Sequence, residues 1–242
     1  MNTLTKIVIA IILSTLLHSC NFSVNLGNGK DGNGNVITVD RKLSEDFNGI
    51  KVSNGLDLEI TQTNDVALQI EADENLHNLI MTDVENDILR IYTTENIRRA
   101  SSKKVKLNIG DISIIKATSG SDVYSTNTIE ANNLNITTTS GADMKLKINT
   151  LHLECKSTSG SDIKLSGKTD IIKAQATSGS DINASSLIAN TANVKATSGA
   201  DILVYASKKI TAKATSGGDI KYSGNPEIVN ASDNSSGKVR KQ

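Results

Sequence analysis

One pentapeptide governs what this chain can fold into. Thr118-Ser119-Gly120-Ser121-Asp122 recurs as Thr139-Ser140-Gly141-Ala142-Asp143, Thr158-Ser159-Gly160-Ser161-Asp162 and Thr177-Ser178-Gly179-Ser180-Asp181. It returns twice more, as Thr197-Ser198-Gly199-Ala200-Asp201 and Thr215-Ser216-Gly217-Gly218-Asp219. The aspartates are 21, 19, 19, 20 and 18 residues apart. So regular a step marks a repeat architecture: one unit cannot bury its apolar face alone, and stacked copies bury a continuous core.

The residues around the motif specify what stacks. Directly after the aspartates stand Val123, Met144, Ile163, Ile182, Ile202 and Ile220. Before the motif, Ile115, Ile136, Cys155, Ala174, Val194 and Ala212 form one column, and Ala117, Thr138, Ser157, Ala176, Ala196 and Ala214 another. Lys, Thr, Gln and Asn alternate with them, the period-2 pattern of strands with one buried face. The spacing predicts an all-β fold, a right-handed parallel β-helix or solenoid with coils of about 19–20 residues. Composition agrees: two Phe, four Tyr and no Trp in 242 residues exclude an aromatic core. Small columns beside large ones fill a narrow interior instead. Cys155 falls in an inward column and reads as a small core hydrophobe.

Ahead of the repeat, Leu56–Ile60, Val66–Ile70, Ile88–Tyr92 and Val105–Ile109 alternate as short strands, with turn signals at Asn64-Asp65 and Asn86-Asp87. Asn75 to Met81 reads as one helical turn. Ser53-Asn54-Gly55-Leu56-Asp57 keeps the Gly-x-Asp spacing, so this N-terminal β region enters the same coil. Past Pro226, Ser235-Ser236-Gly237-Lys238-Val239 is a decayed copy in which Lys238 replaces the aspartate.

The first residues speak to location. Lys6 precedes an apolar run from Ile7 to Leu13, and Leu17-His18-Ser19-Cys20 has the form of a bacterial lipobox apart from His18. We expect a lipoprotein signal peptide over 1–19, lipidation of Cys20 and attachment to the membrane through that lipid. Asn21 is not the aspartate associated with inner-membrane retention, which favours the outer membrane, facing the periplasm or the exterior. The Gly- and Asn-rich stretch around Asn25 to Asn35 predicts a flexible tether over 20–44, followed by the head over 45–224 and a polar C-terminal cap over 225–242. With Cys20 lipidated, Cys155 has no disulfide partner.

Phe47-Asn48-Gly49-Ile50-Lys51-Val52 opening the head, alternating strands, and the Ser-Gly-Ser/Ala-Asp ladder behind a lipoprotein signal together resemble the auto-transporter adhesin head GIN domain family of Bacteroidetes-type bacteria. The resemblance covers about residues 45 to 225. It implies a secreted β-helical head, usually on a lipoprotein, and brings no catalytic residues with it.

Two outward ladders are the candidate surface: Thr118, Thr139, Thr158, Thr177, Thr197 and Thr215, and Asp122, Asp143, Asp162, Asp181, Asp201 and Asp219. Carboxylates stacked ~4.8 Å apart repel unless something compensates. Backbone N–H groups at the bend are one means, and lysines are another: Lys116, Lys156, Lys195 and Lys213 lie six residues before their aspartates, and Lys145, Lys164 and Lys221 two after. A calcium row is a third, but calcium takes six to eight oxygens and the glycine spacing of calcium β-rolls is absent, so no metal or other cofactor is expected. His152 lies in an outward phase, and no Gly-x-Ser-x-Gly, His-Glu-x-x-His or phosphate loop occurs. Twenty-six basic and 26 acidic residues cancel, and apart from Arg98-Arg99 and Lys103-Lys104 they alternate along the chain, so no nucleic-acid partner is expected.

The expectation is therefore a non-enzymatic envelope lipoprotein whose repetitive Thr/Asp/Lys face binds a protein or a glycan. The alternatives are an envelope scaffold whose threonine and aspartate ladders only bond one another, and a β-helical polysaccharide-degrading enzyme.

Overall fold

The computed structural model describes residues 29–43, 46–234 and 236–242. The expected signal peptide, Cys20 and the start of the tether lie outside them. In chain order the strands are β1 (Lys30–Asp31), β2 (Val36–Arg41), β3 (Gly49–Val52), β4 (Asp57–Gln62) and β5 (Ala67–Asp73). A 3-10 turn at Glu74–Leu76 leads to β6 (Ile80–Glu85), β7 (Ile88–Thr93), β8 (Ile97–Arg99), β9 (Lys103–Ile109) and β10 (Ile114–Thr118). Five long bent strands follow: β11 (Asp122–Thr139), β12 (Asp143–Thr158), β13 (Asp162–Thr177), β14 (Asp181–Thr197) and β15 (Asp201–Thr215). The chain finishes with β16 (Asp219–Ser223), β17 (Ile228–Asp233) and β18 (Lys238–Lys241).

These strands wind a parallel β-solenoid of about 7 turns. Each long strand runs from one motif aspartate to the next motif threonine, and the intervening Ser-Gly-x makes the sharp corner. Two consecutive left-handed residues build that corner, for instance Ser159 at φ 59° and Gly160 at φ 66°. This pair turns the peptides so that the bend bonds along the solenoid axis in both directions. Gly160 N–H donates to Ser178 O of the next coil at 3.2 Å, and Asp162 N–H donates to Ala142 O of the previous coil at 3.1 Å. The same pair of bonds recurs from coil to coil and ties each corner to both of its neighbours.

Every inward column expected from the alternation is buried. Ile163, Ile172 and Cys155 are 0–1% exposed, as are Ala174 and Ala176 beside them. Hydroxyls that enter the core satisfy one another: Ser161 Oγ lies 3.0 Å from Thr138 Oγ1, 2.8 Å from Thr158 O and 3.1 Å from Thr158 N. Unequal repeat lengths are absorbed at the other corners, where the register shifts between Tyr124 and Thr128 and between Ala184 and Ile188. One such corner needs Gly167, because a Cβ there would stand 2.0 Å from Ile148 O.

The N-terminal half departs from chain order. The coil of β3 and β4 is sandwiched between the later β7–β9 coil and the β10–β11 coil, with Ile50 paired to both Leu89 and Ile115. Beyond the β7–β9 coil, β6 pairs antiparallel with β7, β5 with β9, and β2 with β5. These antiparallel strands end the stack. Two of them depart from the sequence reading: β6 takes up Ile80 and Met81, the end of the expected helical turn, and β2, like the short β1 that pairs parallel with β8, falls within the expected tether. The free edge of β5 supplies the hydrogen bonds that draw β2 into the sheet, so the head begins well before residue 45.

A buried carboxylate fastens this end. Asp73, 1% exposed, accepts N–H bonds from Gly34 at 2.9 Å, Ser101 at 2.9 Å and Ser102 at 3.0 Å. Desolvation works against its ionisation, but these N–H donors outweigh it and hold the carboxyl below its ordinary value. His77, 6% exposed, reaches Ile37 O and Ala72 O through Nε2. At the other end β17 and β18 complete a last, outwardly polar half-coil, with Lys238 in register with Asp219.

Candidate functional site

The six motif aspartates form one unbroken column, in register from coil to coil. Asp57 extends it by one, and a lysine closes each end: Lys104 opposite Asp57, Lys238 opposite Asp219. Their side chains point outward because the next residue in each coil is a buried aliphatic. Two residues on lies a mixed column that includes Glu59, Tyr124, Lys145, Lys164, Asn183 and Lys221. Between the two columns runs a shallow groove of about 660 Å³, lined by Asp122, Asp143, Asp162 and Asp181 together with Tyr124, Lys145 and Lys164. A smaller hollow of about 190 Å³ continues it past Asp201 and Asp219.

The expected means of compensation act only in part. The bend N–H groups bond backbone carbonyls of neighbouring coils, as described above. It is the x residue that closes the turn, through Ser161 Oγ to Thr158 and Ser180 Oγ to Thr177 N–H at 3.1 Å. Lys116, Lys156, Lys195 and Lys213 lie before the bend, on the neighbouring sheet face. Among the described residues, no ion pair joins a motif aspartate to a lysine. The carboxylates feel each other instead. Burial and the negative charges of Asp181 and Asp219 push the Asp201 carboxyl up, with partial relief from the Asp219 N–H and Lys221. Burial and Asp57 do the same to Asp122, offset in part by Lys103. At one end Tyr124 donates to Glu59 Oε2 at 2.9 Å; burial first, then that carboxylate, raises the phenol.

The threonines also form one column in register. Thr215 Oγ1 donates to Thr197 Oγ1 at 3.1 Å, whereas Thr118, Thr139 and Thr158 meet the adjacent motif serine at 3.3–3.4 Å. Other chemistry-bearing residues stand apart from the groove. His152 is exposed. Cys155 is sealed in the core as a free thiol, and burial pushes its pKa up to about 12. Among the described residues, no three His, Cys, Asp or Glu side chains gather where they could hold a metal ion, and no helix is long and apolar enough to cross a membrane. Tyr124, which lines the groove, and Lys104, which closes the aspartate column, are not among the surface residues expected from the sequence; Lys104 lies outside the repeat, and only the register brings β9 beside β4.

A parallel β-solenoid with a repetitive polar exterior is the class this geometry defines. The chain belongs to the family described as "Putative auto-transporter adhesin, head GIN domain", whose model matches residues 46–226. Among solved structures it is similar to an adhesin of Bacteroides fragilis, with 24% identity and a TM-score of 0.82, covering 88% of this chain and all of that one. It is also similar to a protein of Parabacteroides distasonis described as lipid binding, with 23% identity, a TM-score of 0.71 and coverage of 89% and 100%. An adhesin of Parabacteroides merdae gives 20% identity, a TM-score of 0.69 and the same coverage. No curated protein matches the chain. The family and these adhesin neighbours are described as adhesins, not enzymes.

Proposed function

We propose that this protein is a non-enzymatic adhesin head, carried on the cell envelope by a lipid on Cys20, that binds a protein or glycan ligand along its threonine and aspartate columns. The observation that carries the reading is the groove of about 660 Å³ along four stacked aspartates. Its carboxylates lack ion-pair partners, and burial with the charge of neighbouring carboxylates works against ionised Asp122 in the groove and Asp201 beyond it, so hydrogen-bond donors or cations from a ligand gain what the fold leaves unmet. Adhesin-family membership supports an envelope location, and Leu17-His18-Ser19-Cys20 supports the lipid.

The test is an array of glycans, extracellular-matrix proteins and lipid vesicles probed with the full chain; vesicles are included because one neighbour of the same fold is described as lipid binding. The expected result is a ligand whose binding is lost when Thr158, Thr177 and Asp181 are changed together in a variant that still folds. Binding to nothing on the array favours a scaffold, the reading that the Thr215–Thr197 bond supports. New reducing ends released from a polysaccharide overturn both. For the anchor, fractionation of Cys20→Ala should show loss from the membrane; unchanged partition refutes lipidation.

A further inference from the structure

A formal net charge of zero conceals a separation of charge that only the register reveals. On the sheet face preceding the bend, Arg90, Lys51, Lys116, Lys156, Lys195 and Lys213 fall in one outward column, with the neutral Thr137 and Gln175 in its two gaps. Lys173 and Lys209 add two cations on the same face. Among the described residues, Arg90 at the end of the column is paired with Glu85 and stands opposite Asp83, and along the lysines Glu154 is held between Lys173 at 3.1 Å and Lys156 at 3.6 Å. Sequence alternation of basic and acidic residues thus does not survive folding, because residues about twenty apart become neighbours. The bend sends the aspartates to one face and most of these lysines to another.

We propose that this basic face docks an acidic polysaccharide lying along the solenoid axis, a surface separate from the aspartate groove. Three features select that partner. Coils repeat every ~4.8 Å, so Lys116, Lys156 and Lys195 recur every second coil, roughly 10 Å apart, comparable to one sugar pair of an extended chain. The motif threonines flank the cations on one side, and Asn135, Asn193 and Thr211 on the other, which supplies hydrogen-bonding groups for sugar hydroxyls beside each charge. Apart from Tyr92, which lies under Arg90, and the single imidazole of His152, the outward positions preceding the bend carry no ring on which a nucleobase would stack, and these two stand in separate coils. A membrane partner would need a cluster of apolar anchors, whereas the large exposed aliphatics beside these cations, Leu151, Ile171 and Ile228, stand one to a coil.

The experiment measures binding of the full chain to hyaluronate, which carries one carboxylate per disaccharide, with neutral dextran, a single-stranded oligonucleotide and phosphatidylglycerol vesicles as comparisons. Hyaluronate should bind and be released as ionic strength rises. Changing Lys116, Lys156, Lys195 and Lys213 together to Gln should weaken it roughly tenfold or more, with an unchanged melting temperature. Asp162→Asn with Asp181→Asn should leave it intact. The proposal is overturned by no binding, by equal binding to dextran, by tighter binding to the oligonucleotide or vesicles, or by a lysine variant that binds like wild type. Loss of self-association in the lysine variant without loss of hyaluronate binding assigns the face to a second copy and overturns it as well. Hyaluronate binding lost from the Asp162→Asn, Asp181→Asn variant and kept by the lysine variant would leave the groove reading standing while this one fails.

Discussion

The regular coils and the N-terminal end solve the same problem by opposite means. From β10 to β16 each coil repeats the last, every backbone bond at the bend is copied, and no residue there is indispensable to more than its two neighbours. Between β1 and β9 the chain stacks out of order, reverses strand direction, and depends on unique side chains, above all Asp73. A solenoid can propagate on a pentapeptide, but it can be terminated only by residues that refuse to repeat, since a further identical coil would expose another open edge.

The largest effect should therefore come from the end. Asp73→Ala deprives the N–H groups of Gly34, Ser101 and Ser102 of the acceptor that holds their loops together, and should lower the melting temperature by several degrees or more. Gly32→Ala should act in the same direction, since its Cβ would stand 2.0 Å from the Asp73 carboxylate. If thermal unfolding of Asp73→Ala matched wild type, the clasp would have no role. Within the coils, Gly167→Ala should cost about 3 kcal/mol, because Ile148 O blocks the new methyl. Gly160→Ala meets nothing within 4 Å and should cost only roughly 1 kcal/mol, the strain of a left-handed alanine. Urea denaturation of the pair tests this, and equal losses would contradict it.

Acid separates the two regions in sign. The folded Asp73 carboxyl titrates below its ordinary value of 3.8, so its contribution is present above that pH and is lost as pH falls through the lower folded value. Asp201 titrates above 3.8 when folded, so its ionisation opposes folding as pH rises through that higher value, and the penalty disappears in acid. Asp201→Asn should accordingly raise the melting temperature slightly at pH 7 and make no difference below pH 3.8, whereas Asp73→Asn should destabilise at pH 7. The smallest effect is expected at Ser121, whose Oγ is fully buried without a partner while Ala142 and Ala200 occupy the same place in other coils. Ser121→Ala should stabilise by up to about 1 kcal/mol, and Ser161→Ala, which breaks a satisfied hydroxyl network, should destabilise by about 1 kcal/mol.

The repeat was legible in the sequence because its information is local. Ser-Gly dictates the left-handed corner, the alternation of Ile163 and Lys164 or Ala174 and Lys173 assigns inside and outside, and the constant step fixes which residues meet one coil away. The aspartate and threonine columns followed from that step alone. What the chain order could not reveal was the placement of β3 and β4 between β7–β9 and β10–β11, the recruitment of β2, and the cluster of Lys104, Glu59 and Tyr124. Those depend on pairings from 27 residues apart (Arg41 with Leu68) to 65 (Asp57 with Asp122), between strands whose order in the stack differs from their order in the chain. The lysines six residues before the aspartates followed from the step as well; the tertiary structure decided that the bend carries them to a face apart from the aspartates and that Lys51 and Arg90 extend their column, because the β3 and β7 strands stack there out of chain order.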